Sequence, residues 1–103
     1  MNIHEVVDIL NAHNYHGASD WTVKRNPNSI LIESIQCAEY FGIIQATEIA
    51  EQLHKYLLMC VKLLNAEHYL GRDDWYYTNG YLYYGNSDGR IPISDAIDAA
   101  EQL

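Results

Sequence analysis

Leu10 to Trp21 reads LNAHNYHGASDW, and 54 positions later Leu64 to Trp75 reads LNAEHYLGRDDW. Leu, Asn, Ala, Tyr, Gly, Asp and Trp recur in register, seven of the twelve positions. A match this dense marks a duplicated structural unit, and duplication constrains the fold more than any other feature of the chain. AEQL ends at Leu53 and again at Leu103, a shift of 50, so the second copy lacks four residues, which we place in its hairpin region. The 103 residues are therefore read as a single domain made of two repeats, 1–53 and 54–103.

Hydrophobic spacing assigns the elements. Ile3, Val6, Val7 and Leu10 form one apolar stripe, predicting a helix over about 2–15 closed by Gly17; Gly71 holds the same place in the second copy. Trp21 to Arg25 and Ile30 to Ser34 alternate as strands around an Asn26-Pro27-Asn28 turn. A short third strand is expected over Tyr40 to Ile43, with its counterpart at Arg90 to Ile93. From Gln45 no glycine or proline interrupts the chain until Gly71, while Ile49, Leu53, Leu57, Val61 and Leu64 recur, so one long helix closes the first copy and opens the second. A break near His54 to Tyr56 is the alternative.

Asn79-Gly80 between β-forming runs specifies a two-residue type I′ turn. Thr78 then faces Tyr81, Tyr77 faces Leu82, Tyr76 faces Tyr83 and Trp75 faces Tyr84. One face carries Trp75, Tyr77, Leu82 and Tyr84; the other carries Tyr76, Thr78, Tyr81 and Tyr83. A last helix follows Pro92-Ile93, with Ser94 as N-cap and Ala96, Ile97, Ala100 and Leu103 buried. The expected fold is α+β: two helix, β-hairpin, helix units sharing a long central helix about a pseudo-twofold axis. We expect the hairpins to join into one sheet, because a lone hairpin is marginal in water, with hairpins standing apart at the two ends of that helix as the alternative.

Composition narrows the function. Fourteen acidic residues oppose six basic ones, and a net charge of -8 disfavours direct binding to a nucleic-acid backbone. From Asp73 onward Asp73, Asp74, Asp88, Asp95, Asp98 and Glu101 face Arg90 alone. No run reaches the eighteen or so apolar residues of a membrane span, and the start, MNIHEVVDIL, lacks signal-peptide features, so a cytoplasmic location is expected. Cys37 and Cys60 fit no zinc or redox spacing and are read as reduced packing residues, with a bridge between them as the alternative. His13 and His16 lie three apart, but the second copy has Glu67 and Leu70 there, so no metal is expected. There is no phosphate loop, nucleophile elbow or HExxH motif, and we expect no cofactor and no catalysis.

Two copies within one chain allow an internal comparison: residues they share serve the fold, and residues that differ are available for function. Trp21 and Trp75 are read as core plugs, and Asp20 and Asp74 as acceptors for backbone N–H groups of the preceding turn. The hairpin faces differ most. Thr22, Lys24 and Glu33 in the first copy give way to three tyrosines, a residue type suited to interfaces. Tyr76, Tyr81 and Tyr83, flanked by Asp73, Asp74 and Asp88, are the candidate binding residues, and a protein with a basic surface is the expected partner. In size and charge alone the chain resembles small phage-encoded anti-defence inhibitors, anti-CRISPR proteins among them, which implies inhibition of a nucleic-acid-handling complex. The alternatives are a nucleotide or small-ligand binder using Arg72 and Arg90, and a structural homodimer paired through the tyrosine face.

Overall fold

A computed structural model describes residues 1–78, 80–85 and 89–103. Contacts divide the chain into two compact units, Met1–His54 and Lys55–Leu103. The first contains α1 (Ile3–Ala12), β1 (Thr22–Asn26), β2 (Ser29–Ser34) and β3 (Glu39–Gly42). Helix α2 (Ile43–Ala66) closes it and continues without a break into the second. There β4 (Tyr76–Thr78), β5 (Tyr81–Tyr84), β6 (Gly89–Pro92) and α3 (Ile93–Glu101) repeat the order.

The expected single sheet does not form. Strands pair as two antiparallel sheets, β1-β2-β3 and β4-β5-β6. Each expected hairpin is a three-stranded meander, and the third strand supplies the neighbour that a lone hairpin lacks. The four-residue difference falls inside the first two strands of the meander: β1 and β2 have five and six residues, β4 and β5 three and four. Taking two residues from each strand preserves which face each side chain occupies. Asn79 lies outside the described residues, but Gly80 has φ +85 and the pairs Tyr76↔Tyr83, Tyr77↔Leu82 and Thr78↔Tyr81 are those expected of the turn.

Helix α1 opens on Asn2, whose side chain accepts from the Glu5 N–H at 2.9 Å while its amide donates to Glu5 Oε1 at 2.8 Å. The helix stops at Ala12, short of the expected Tyr15, because Asn14 turns left-handed at φ +48. A 3-10 turn over Tyr15–Gly17 follows, with His16 and Gly17 also at positive φ. The second copy repeats this with His68, Leu70 and Gly71. Helix α3 begins one residue ahead of Ser94: Pro92 is its extended cap without a side-chain bond, since buried Ile93 already belongs to the helix. Leu103, expected in the core, is exposed beyond the end of that helix.

The core of the first unit gathers Val6, Ile9 and Leu10 from α1, Trp21, Ile32 from β2, and Ala46 and Ala50 from α2. Trp21 stacks on Phe41 with centroids 5.6 Å apart. In the second unit Leu57, Leu64, Trp75, Leu82, Ile93, Ala96 and Ala100 are buried, and Trp75 meets the edge of Tyr84 at 5.0 Å. Both tryptophans are thus core residues. One asparagine per copy sets their position. Asn11 accepts the Trp21 N–H at 2.6 Å and donates to the Trp21 carbonyl at 3.0 Å; Asn65 does the same for Trp75 at 2.7 and 3.0 Å. Each indole N–H donates to a carbonyl of the 3-10 turn, Tyr15 or Tyr69, at 3.1 Å.

Candidate functional site

Alternation along the β4-β5-β6 sheet sends Trp75 and Leu82 inward and leaves an aromatic face outward. Pairing across three strands places Tyr76, Tyr83 and Arg90 in one row and Thr78, Tyr81 and Pro92 in the next. Tyr76 and Tyr83 stack at 5.8 Å with planes 19° apart, and Tyr81 meets Tyr83 edge-on at 6.5 Å. The Arg90 guanidinium lies 4.3 Å from the centroid of Tyr81. Its hydrogen bond to Tyr83, followed by the charge of the phenolates that Tyr83 and Tyr81 become at high pH, pushes its pKa up further. Tyr76 and Tyr81 keep 37% and 36% of their surface exposed, enough to offer ring faces to a partner.

The same face of the first unit is chemically different. Thr22, Glu33 and Tyr40 form one row, and Lys24, Leu31 and Gly42 the next. Lys24 pairs with Glu33 at 3.7 Å, an ordinary solvated contact. The three candidate tyrosines therefore come together as expected, and Arg90 joins them. Arg90 was assigned to the nucleotide-binding alternative and not to this patch, because its place beside Tyr83 depends on the register of β6.

The acidic candidates divide. Of the two that are described, Asp73 is the more exposed, at 72% of its side chain, with His68 Nε2 3.9 Å away. Asp74 serves the fold: one oxygen accepts the Gly85 N–H at 2.8 Å and the other lies 3.4 Å from Arg72 Nε. Asp88 lies outside the described residues. Asp20 parallels Asp74, accepting the Ile35 and Gln36 N–H groups at 3.1 and 3.0 Å and the Ser34 hydroxyl. Both aspartates therefore accept from backbone N–H groups that follow the second strand of their sheet, Ile35 and Gln36 or Gly85, and not from the preceding turn. The Ser34 hydroxyl, followed by the backbone donors, pulls the Asp20 pKa below the usual carboxylate value.

His16 lies in the 3-10 turn beyond the end of α1, where it pairs with Glu39 through Nδ1 and stacks on Tyr15 at 4.0 Å. Cys37 Sγ is 3.8 Å from the same Glu39 oxygen. Among the described residues no group of three or more His, Cys, Asp and Glu side chains has the arrangement of a metal site. Burial, then the charge of His54, pulls the pKa of His13 down. Both cysteines are free thiols, and burial pushes Cys60 up. Among the described residues no helix is long and apolar enough to cross a membrane.

Neither arginine of the nucleotide-binding alternative is presented as an anion-binding fork. Arg72 is engaged by Asp74 and lies over the Tyr84 ring at 4.4 Å, and Arg90 is engaged by Tyr81 and Tyr83. A shallow recess of about 530 Å³ on the first unit, between Ile30 and Leu31 of β2 and Ile43, Ile44 and Glu48 of α2, presents no cation. Compared with protein-family models, curated proteins and solved structures, the chain matches none.

Proposed function

We propose that this chain is a small, non-enzymatic binding module that engages a protein partner through the outer face of the β4-β5-β6 sheet. The observation that carries the reading is the stacked Tyr76–Tyr83 pair with Tyr81 and Arg90 beside it, on a face where the first copy has a Lys24–Glu33 pair. Aromatic and arginine side chains dominate interface energetics, and these rings are already ordered by one another, so little conformational entropy is lost on docking. The net charge of -8 and exposed Asp73 favour a partner with a basic surface. A component of a nucleic-acid-handling complex, inhibited by occlusion, fits that charge. The internal repeat fits a duplicated unit of which one copy kept a solvated face and the other gained an aromatic one.

The experiment is affinity capture with tagged full-length protein beside the Tyr76→Ser/Tyr81→Ser/Tyr83→Ser variant, followed by titration of the captured protein. Loss of about 2 kcal/mol or more at an interface hot spot corresponds to at least thirtyfold weaker binding for the variant. Binding should also weaken as salt rises. Equal affinity for both proteins, with unchanged circular dichroism, would remove the tyrosine face from the binding site.

A further inference from the structure

Two half-buried histidines belong to the first unit, His13 at the end of α1 and His54 midway along α2. His13 follows buried Ile9 by four residues and His54 follows buried Ala50 by four, so each extends a core-facing stripe by one helical turn. The His13 backbone N–H donates to the Ile9 carbonyl at 3.0 Å, which ties the residue to α1. Its side-chain Nε2 is buried and has no hydrogen-bond partner among the described residues. A neutral imidazole tolerates such a place, since one of its nitrogens carries only a lone pair, whereas an imidazolium carries a proton on both. Protonating His13 therefore buries either an N–H without an acceptor or a cation facing His54.

No carboxylate compensates among the described residues. The His13 pKa is lowered first by burial and then by the charge of His54. The other titratable groups nearby on the two helices, His4, Glu5, Asp8, Glu48, Glu51 and Lys55, are exposed. Around the same core His16 is held by Glu39, Lys24 by Glu33 and Asp20 by Ser34, while Arg25 is exposed. The second copy has exposed Glu67 in place of His13, so the fold does not require a histidine there.

We propose that His13, set against His54, is a proton-operated latch of the first unit: in acid the end of α1 leaves the core and takes the seat of Trp21 with it, while the second unit stays closed. Asn11, which holds the Trp21 backbone, lies two residues before His13 in that end. The opened end binds its proton at the ordinary histidine value of 6.5, and the closed end only at a lower pH. The closed form is therefore favoured in full above pH 6.5. As pH falls below that value its excess over the open form drops by up to about tenfold per pH unit, until the folded value is passed. His16 beside Glu39 and His68 beside Asp73 act with the opposite sign, because protonation there completes an ion pair. The latch does not rest on the tyrosine-face reading.

Hydrogen exchange of the two indole N–H groups in the full-length protein, followed by NMR from about pH 7.5 to 5, tests it. Trp21 and Trp75 donate to equivalent carbonyls at 3.1 Å, so Trp75 is the internal reference. Protection of Trp21 relative to Trp75 should hold above pH 6.5 and then fall with acid. The fall should reach up to about tenfold per pH unit. His13→Gln, which keeps a polar side chain without a titrating ring, should abolish it. His54→Gln should raise the pH at which the His13 ring titrates in the proton NMR spectrum, and this variant decides if His13→Gln does not fold. A protection ratio that stays flat with pH overturns the inference. So does a fall that persists in His13→Gln, a His13 ring that titrates at 6.5 or above, or a titration that His54→Gln leaves unmoved.

Discussion

Removing the Asn11 side chain tests the claim that one amide seats each core tryptophan. Asn11→Ala deletes an acceptor 2.6 Å from the Trp21 N–H and a donor 3.0 Å from its carbonyl. Two ordinary hydrogen bonds contribute about 1–3 kcal/mol net, and leaving two partly buried backbone groups unpaired raises the cost, so we expect a loss of about 2–4 kcal/mol. That is a large share of the roughly 5–15 kcal/mol that holds a typical protein folded. Asn11→Asp retains the acceptor but turns a carboxylate oxygen toward the carbonyl, and should fall between wild type and alanine. Asn65→Ala should cost a similar amount, because its two distances to Trp75 match within 0.1 Å. Urea unfolding followed by circular dichroism gives the magnitude. Two-dimensional NMR of the indole N–H resonances shows which tryptophan moves. A loss below about 0.5 kcal/mol in both alanine variants would mean that the amide does not hold the tryptophan in place, since it is under what one hydrogen bond contributes.

Three further outcomes follow from the geometry. Leu70 holds φ +53 with 67% of its surface exposed, so Leu70→Asn, which tolerates the left-handed region, should stabilise by about 0.5–1 kcal/mol in thermal unfolding. At Gly89 a methyl group would collide with the Tyr84 ring. Gly89→Ala should push that ring off Trp75, costing about 1–2 kcal/mol and altering the near-UV circular dichroism. Asp20 has a folded-state pKa depressed chiefly by the Ser34 hydroxyl, so its stabilising effect is fully present above the ordinary carboxylate value of 3.8 and is lost as pH falls through the lower folded value. Wild type should therefore lose stability below about pH 4 more steeply than Asp20→Asn, and parallel acid-unfolding curves would contradict the assignment.

Much of the fold was legible because its signals are local. The duplicated LNA…DW stretch, the helical stripe of Val6 and Leu10, and the run from Gln45 to Leu64 each express a period that burial then satisfied. The two-residue turn before Tyr81 set the register that put Tyr76, Tyr81 and Tyr83 on one outward face. Element ends were less legible. The end of the first helix at Ala12 was set by left-handed Asn14 and the start of the last by buried Ile93, and Ile43, expected in a strand, opens the long helix while only partly buried.

By itself, the sequence determined that there are two copies, that each builds helix, strands and helix around one tryptophan, and that the second copy's outward strand face is aromatic. Tertiary structure alone decided what bridges distant positions. Asn11 reaches Trp21, Asp20 reaches the turn beyond Ser34, Arg90 completes the tyrosine row from a third strand, and the sheets form separately. The physical reason is range. Periodicity and turn chemistry act over a few residues, where sterics leave few choices, whereas a hydrogen bond across ten or more residues exists only once the intervening chain has closed its loop and buried its core.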